Sequence, residues 1–120
     1  MENAIADKSL AFAVRVVNLY RSLQIRRSEN VISVQILKSG TSIGANVREA
    51  NSAQSRADFI AKLSIALKEC DETGYWLELL RKISSITEIE FDSIENDRKE
   101  LFALLTAILK STKARMSECR

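Results

Sequence analysis

Apolar side chains recur at intervals of three and four residues through most of this chain, which places them on one face of an α-helix. The first such segment runs from about residue 4 to residue 25. It carries two adjacent apolar stripes, one with Leu10, Ala13, Val17 and Tyr20, and one with Phe12, Val16, Leu19 and Leu23. A face this wide has two open interpretations: all of it lies in a deep core, or one stripe fills the core and the other contacts a second subunit. For the second interpretation, the candidate interface residues are Phe12, Val16, Leu19, Phe102 and Leu109.

The second helix is predicted from Val31 to Asn51, and small residues occupy the middle of its apolar face. Gly40 and Gly44 stand there, although a glycine inside a helix costs about 1 kcal/mol relative to alanine. We expect both to let the main chain of a neighbouring helix approach closely. The predicted packing seam is Ser39, Gly40, Ile43, Gly44 and Val47. A helix broken at either glycine is the alternative; the apolar periodicity, which keeps its phase across both, favours a continuous helix.

Two longer helices complete the pattern. The third is predicted from about residue 56 to residue 84, with a capping box in which Ser55 accepts an early backbone N–H and Asp58 reaches back. The fourth is predicted from about residue 91 to residue 114. Four amphipathic helices joined by short polar turns predict an all-α fold, an antiparallel up-down-up-down four-helix bundle that takes up residues 1–120 as a single domain.

The residue types argue against most enzyme classes. Histidine is absent, which removes the commonest general base, the usual partner of a nucleophilic serine or cysteine, and the di-iron sites of ferritin-like bundles. Carboxylates cluster on the third helix, where we expect a solvated or salt-bridged face rather than a metal site: Glu69, Asp71, Glu72 and Glu78. We therefore predict a protein that is not an enzyme and has no cofactor, metal or small-molecule substrate.

Cysteine usage and hydropathy bear on location. Cys70 and Cys119 lie far apart, which fits a reducing compartment, and Cys70 falls on the apolar stripe of the third helix as a small, inert core residue would. Charged residues interrupt the N-terminal apolar run, so it does not resemble a signal peptide. The longest apolar stretch, residues 101–109, is too short to span a bilayer. We expect a cytoplasmic protein with no membrane partner.

The net charge of +2 is too small to attract an acidic partner globally, so the placement of charge is more informative. In an up-down bundle, the second turn lies at the same end as both chain termini. That end, here named the basic pole, is basic but not purely so, since it collects Lys8, Arg48, Arg56, Lys62, Lys110, Lys113, Arg115 and Arg120 together with the acids Glu2, Asp7, Glu49, Asp58 and Glu118. Its candidate nucleic-acid-binding residues are Arg48, Arg56, Lys62, Lys110, Lys113 and Arg115. A phosphate backbone requires such a patch, and ordinary solvated helix ends are the plainer interpretation for a monomer. Several copies around an axis would repeat the patch into a ring.

The run QILKSGTSIGANVREA, residues 35–50, resembles the signature of a bacterial four-helix-bundle family encoded by intervening sequences in large-subunit (23S) ribosomal RNA genes. Residues 55–69 and 72–80 are similar to that family as well, and the flanking helices match by pattern. The resemblance implies a homo-oligomer, typically a barrel of five bundles. It also implies similarity to the accessory protein of diversity-generating retroelements, which is more strongly basic and binds nucleic acid and a reverse transcriptase. It implies no catalytic residues.

Two functional hypotheses follow. The first is an oligomeric scaffold, not an enzyme, whose basic pole contacts RNA or DNA without sequence specificity. The second is an adaptor that binds other proteins through the wide apolar faces of the first and fourth helices and has no nucleic-acid role.

Overall fold

The computed structural model describes residues 3–28 and 30–118, which form four antiparallel α-helices. Helix α1 spans Asn3–Ser22 and continues into a π-helical turn, Leu23–Arg27; α2 spans Val31–Asn51, α3 spans Arg56–Lys82 and α4 spans Glu88–Glu118. The molecule measures 53 × 21 × 21 Å. Helix α2 packs against α1 and α3, and α4 packs mainly against α3. The predicted all-α, up-down-up-down bundle is confirmed.

A continuous apolar core runs along the bundle axis and receives side chains from all four helices at helical spacing. Its largest fully buried members include Val16, Leu23, Ile36, Ile43, Leu63, Leu77, Leu101 and Leu105. Burial of each side chain of this size contributes roughly 1.5–3 kcal/mol relative to leaving it in water. The core is therefore sufficient to hold the helices together without a disulfide or a metal ion.

Helix α2 is continuous through both glycines, as predicted, but the two glycines have different neighbours. A Cβ atom on Gly44 would lie 3.3 Å from the carbonyl oxygen of Ser9, so the main chain of α1 does approach closely there. A Cβ atom on Gly40 would lie 2.7 Å from Cγ2 of Val16. The neighbour of Gly40 is thus a side chain, and the predicted main-chain approach at this position is wrong.

The other residues of the predicted seam complete the core side of α2. Ile43 and Val47 are buried among the apolar core residues. Ser39 is buried as well, and it faces α3, where its Oγ accepts a hydrogen bond from Thr73 Oγ1 at 2.9 Å. The pairing satisfies two hydroxyl groups that would be costly to bury alone.

The predicted capping box at the start of α3 is half formed. The backbone N–H of Asp58 donates to Ser55 Oγ at 3.0 Å, as predicted. The carboxylate of Asp58 accepts from the backbone N–H of Gln54, at 3.4 Å, rather than from that of Ser55. Aspartate is one methylene shorter than the glutamate that a complete box prefers, which explains why its carboxylate bonds to the N–H of Gln54 instead of that of Ser55.

Helix α4 begins three residues before its predicted start, and a complete capping box explains why. The backbone N–H of Glu90 donates to Thr87 Oγ1 at 3.0 Å, and the backbone N–H of Thr87 donates to Glu90 Oε1 at 2.8 Å. The Thr-x-x-Glu signal for this box is present in the sequence, within the polar turn predicted between the third and fourth helices. The helix also runs past its predicted end, to Glu118.

Candidate nucleic-acid interface

The six candidate nucleic-acid-binding cations of the basic pole lie at the end of the bundle where α2 and α4 end and α3 begins. Arg48 is in the last turn of α2, Arg56 is the first residue of α3, and Lys62 lies in the second turn of α3. Lys110, Lys113 and Arg115 follow each other along the final turns of α4. All except Lys62, which is half-buried, are exposed to solvent.

Most of these cations are not neutralised by a nearby carboxylate. Lys62 Nζ pairs with Glu49 Oε1 at 3.1 Å and ties α3 to α2. Among the residues that the structure describes, Arg48, Lys110 and Lys113 have no ion pair within 4 Å. Lys8, also at this end, pairs with Glu100. Cations elsewhere on the bundle are more often paired, in Arg15–Asp97, Arg26–Glu90, Arg81–Glu78, Arg81–Glu88 and Arg98–Glu95. Unpaired positive charge is therefore available at the basic pole for an external anion.

A groove of about 460 Å³ opens at the basic pole where the ends of all four helices converge. Buried Ile5 and Leu63 and half-buried Phe59 and Ile108 give it apolar walls. Its polar lining comes from Asn51, Ser111, Thr112 and Arg115, and Ala107 completes the rim. We call this feature the terminal groove.

A second groove, between α1 and α2, brings another cation of the pole next to small and apolar residues. Arg48 lines it together with Leu10, Ala13, Thr41 and Ala45. Asn51 lines both grooves. Arg48 thus lines the groove between α1 and α2 and Arg115 lines the terminal groove, so the cations of the pole do not all line one site.

The structure contradicts the predicted oligomer interface at three of its five positions. Phe12, Val16 and Leu109 are only 2%, 0% and 5% exposed, because they fill the core of the bundle. Leu19 and Phe102 are half-buried and pack against the same core. The stripe of α1 assigned to a subunit contact is therefore the one that faces inward, and this part of the prediction is wrong.

The other stripe of α1 is the exposed one. Leu10 is 58% exposed and Val14 is 53% exposed, large values for aliphatic side chains in the middle of a helix. Ala13 and Val17 lie beside them, and exposed Val34 projects from the same side of α2 as the groove residues. We call these five residues the outer α1–α2 face. The sequence pattern places three of them, Leu10, Ala13 and Val17, on one stripe of α1 but does not assign that stripe to the surface.

A polar cluster between α3 and α4, which sequence reasoning did not foresee, surrounds Cys70. Arg98 Nε and Nη2 each donate to the carboxylate of Glu95 at 2.7 Å, and Arg98 Nη1 donates to the Cys70 carbonyl at 3.2 Å. Burial raises the pKa of the Cys70 thiol to about 11, although the positive charge of Arg98 offsets part of this effect. The thiol donates to the Arg98 carbonyl at 3.6 Å, so Cys70 is an inert structural residue.

Within residues 3–28 and 30–118, the acidic side chains of α3 do not come together with others as a group that could hold a metal ion. No helix in that part of the chain is both long enough and apolar enough to cross a membrane.

Comparison with known proteins identifies relatives. The family described as "23S rRNA-intervening sequence protein" matches residues 1–107 of this chain. A crystal structure of a protein of unknown function, from the S23 ribosomal protein family of Bacteroides thetaiotaomicron, is 60% identical to this chain, with a TM-score of 0.88. The match covers 89% of this chain and 99% of that protein. No curated protein matches this chain.

Proposed function

Since the chain belongs to the 23S rRNA-intervening sequence protein family, we propose that it is a non-enzymatic, oligomeric scaffold whose basic pole binds RNA or DNA without sequence specificity. The proposal combines two activities: association of copies through the outer α1–α2 face, and contact with phosphate through the basic pole, whose Arg48 also borders that face. Absence of histidine supports a role without catalysis. The proposed location is the cytoplasm, where both nucleic acids are present in bacteria.

The observation that carries the nucleic-acid half of the proposal is the unpaired positive charge at the basic pole. Arg48, Lys110 and Lys113 are exposed and have no ion pair within the described residues. A lysine or arginine that is not already neutralised releases counterions from nucleic acid when it contacts a phosphate. An assembly would present the same cations several times and raise affinity through multiple contacts.

The test is the salt dependence of binding, measured by fluorescence anisotropy with labelled RNA and DNA between about 50 and 200 mM salt. Wild-type affinity is expected to fall steeply across this range. The variant Lys110→Gln/Lys113→Gln is expected to bind more weakly, with a salt slope smaller by about 2, one unit for each phosphate contact removed. Lys68→Gln/Lys99→Gln is the matched control, because it removes two exposed cations away from the pole and changes the net charge equally.

Equal losses in the two variants would show that only net charge matters and would contradict a specific role for the pole. Absence of binding by the wild type at the lowest salt would remove nucleic acid from the proposed function altogether.

The outer α1–α2 face supports the association half of the proposal. Exposed aliphatic residues grouped on one surface mark contact sites more often than isolated ones do, and here Leu10 and Val14 lie one helical turn apart. The resemblance implies five copies, and light scattering will give the mass in solution. We expect Leu10→Lys/Val14→Lys to lower that mass while far-UV circular dichroism stays unchanged. Ile89→Lys, at a still more exposed aliphatic position near the other end of the bundle, is the control.

A second candidate function, an adaptor for other proteins, is favoured by a different set of exposed residues. The end opposite the basic pole carries Ile25, Val31, Ile83 and Ile89, all exposed and contributed by both turns of that end. The apolar faces first assigned to this role contain Phe12, Val16 and Leu109, which are buried. A pull-down in which the wild type captures a protein other than itself, and Ile83→Lys/Ile89→Lys does not, would support the adaptor. Recovery of self alone would count against it.

A further inference from the structure

The terminal groove differs from the rest of the basic pole because it combines apolar walls with a cationic rim. Phe59 and Ile108 line it with an aromatic ring and a branched aliphatic side chain, each only half-buried by the bundle. Arg115 stands at the rim, at the end of α4. An open apolar groove of this kind is more typical of a ligand-binding site than of a solvated helix end.

The guanidinium of Arg115 has donors to spare. Arginine presents five N–H groups in a planar fork, and the hydrogen bond found for this side chain is a long one, from Nη1 to Ser111 Oγ at 3.4 Å. No ion pair engages Arg115 within the described residues. The fork can therefore bind a phosphate, or stack on an aromatic ring, without breaking a strong contact of the folded protein.

A nucleobase matches this lining. Its two faces are apolar and stack on aromatic side chains and on arginine, and its edge carries hydrogen-bond donors and acceptors. The side-chain amide of Asn51, at the rim, offers both a donor and an acceptor to that edge. A base inside a duplex is stacked and paired, so it cannot enter a concave groove without being extruded.

The charge around the groove favours a polyanion over a small amphipathic acid. A fatty acid would need one cation at the rim, which Arg115 alone supplies. Lys110 and Lys113 do not line the groove, but they add two exposed charges to other faces of the same helix end, and these charges attract a polyanion.

We propose that the terminal groove holds one unstacked base and that the protein therefore prefers single-stranded RNA or DNA to duplex. This inference rests on the proposed nucleic-acid binding and adds a ligand class and a site to it. The lysines supply the salt-dependent attraction, and the groove supplies the discrimination between single strands and duplexes.

The experiment compares labelled single strands of about 12 nucleotides with duplexes of the same sequence, in RNA and DNA arms, by anisotropy. Ala107→Trp fills the groove from its exposed rim, and Ala103→Trp places the same indole one turn away, outside the groove lining. We expect Ala107→Trp to weaken single-strand binding roughly tenfold, the effect of losing one stacked base. Duplex binding should be unchanged, and Ala103→Trp should behave as wild type.

Phe59→Leu provides a second test, since it removes the ring and keeps an apolar side chain. It should weaken single-strand binding as well, and thermal melting by circular dichroism will verify that both variants are folded. Equal single-strand affinities for Ala107→Trp and Ala103→Trp would overturn the inference while leaving binding by the lysines intact. A wild type that binds neither single strands nor duplexes would overturn both proposals. Displacement of a bound single strand by micromolar laurate, with loss of laurate binding in Ala107→Trp, would assign the groove to a fatty acid instead.

Discussion

The guanidinium of Arg98 packs directly against the backbone of Gly74, so closely that a Cβ atom on Gly74 would stand 2.7 Å from Arg98 Cζ. The group that requires the space beside this glycine is a cation on α4. Arg98 is held there by Glu95 and by the Cys70 carbonyl, and its side chain and that of Glu95 are mostly buried. Gly74 therefore permits Arg98, which forms its ion pair with Glu95 within α4, to pack against α3 and donate to the Cys70 carbonyl.

We predict that Gly74→Ala destabilises the protein by about 1–3 kcal/mol, because the added methyl displaces a guanidinium whose three hydrogen bonds fix its position. In an Arg98→Ala/Glu95→Ala background the sign should reverse. There the methyl meets open space, and alanine gains up to about 1 kcal/mol over glycine in helix propensity. Urea denaturation of the four proteins measures this coupling. The same cost in both backgrounds would show that Arg98 is not the reason for the glycine.

The contact between Gly40 and Val16 yields a second prediction. Valine is branched at Cβ and has little rotamer freedom, so it cannot turn away from a new methyl group 2.7 Å distant. We expect Gly40→Ala to cost about 1–3 kcal/mol through overpacking. Val16→Ala alone should cost about 2 kcal/mol through lost burial and a cavity, and the double variant should be more stable than the sum of the two predicts. Additive free energies of unfolding would contradict a direct clash.

The capping box of α4 makes stability depend on pH in the acid range. The hydrogen bond from the Thr87 backbone N–H, aided by Arg26, lowers the pKa of Glu90. A carboxyl group with a lower pKa in the folded state stabilises the protein at pH values above its unfolded pKa, near 4.3. That stability is lost as the pH falls through the folded pKa.

We therefore expect the free energy of unfolding to fall less between neutral and acidic pH in Glu90→Gln than in the wild type. Glu88→Gln is the control: Glu88 is more exposed and forms a longer ion pair, at 3.7 Å. At neutral pH, Thr87→Ala should cost about 1 kcal/mol, as for other lost caps. If Glu90→Gln and Glu88→Gln gave parallel pH profiles, the box would have no measurable role in acid stability.

Cys70 gives the corresponding prediction in alkali. Because burial raises the pKa of its thiol to about 11, the unfolded chain, with a pKa near 8.5, loses this proton first. The free energy of unfolding should therefore fall between about pH 9 and pH 11, by up to about 3 kcal/mol from this group. Cys70→Ala removes this contribution and should show a shallower decline, both proteins carrying Cys119→Ser. Parallel declines, or rapid labelling of Cys70 by a thiol reagent at neutral pH, would contradict the assignment.

Periodicity predicted helix α2 to the residue at both ends, and it predicted the continuity of that helix across Gly40 and Gly44. Periodicity predicts the start of α4 less accurately: it indicates Phe91, because the preceding segment is polar, whereas the helix begins at Glu88. The signal at Thr87 and Glu90 was readable, since a capping box is local in the chain. By contrast, no local signal relates Gly74 to Arg98 or Gly40 to Val16, because each pair joins residues on different helices.

The basic pole could be anticipated because helix order and an up-down topology together fix which turns share an end of the bundle. The terminal groove could not, since its lining combines residues from all four helices that are far apart in the chain. The partition of α1 into a core stripe and an exposed stripe was also beyond sequence reasoning. Both stripes are apolar, and a buried serine, Ser9, interrupts the one that faces inward.

By itself, the amino-acid sequence determined the number of helices, their approximate ends and which end of the bundle carries the basic pole, because these depend on spacing between near neighbours and on the order of the helices in the chain. Only the tertiary structure decided which stripe of α1 is buried, what stands against each glycine and where a groove opens. Burial and contact depend on residues far apart in sequence, and packing against a neighbouring helix is what selects one of two equally apolar faces for the core.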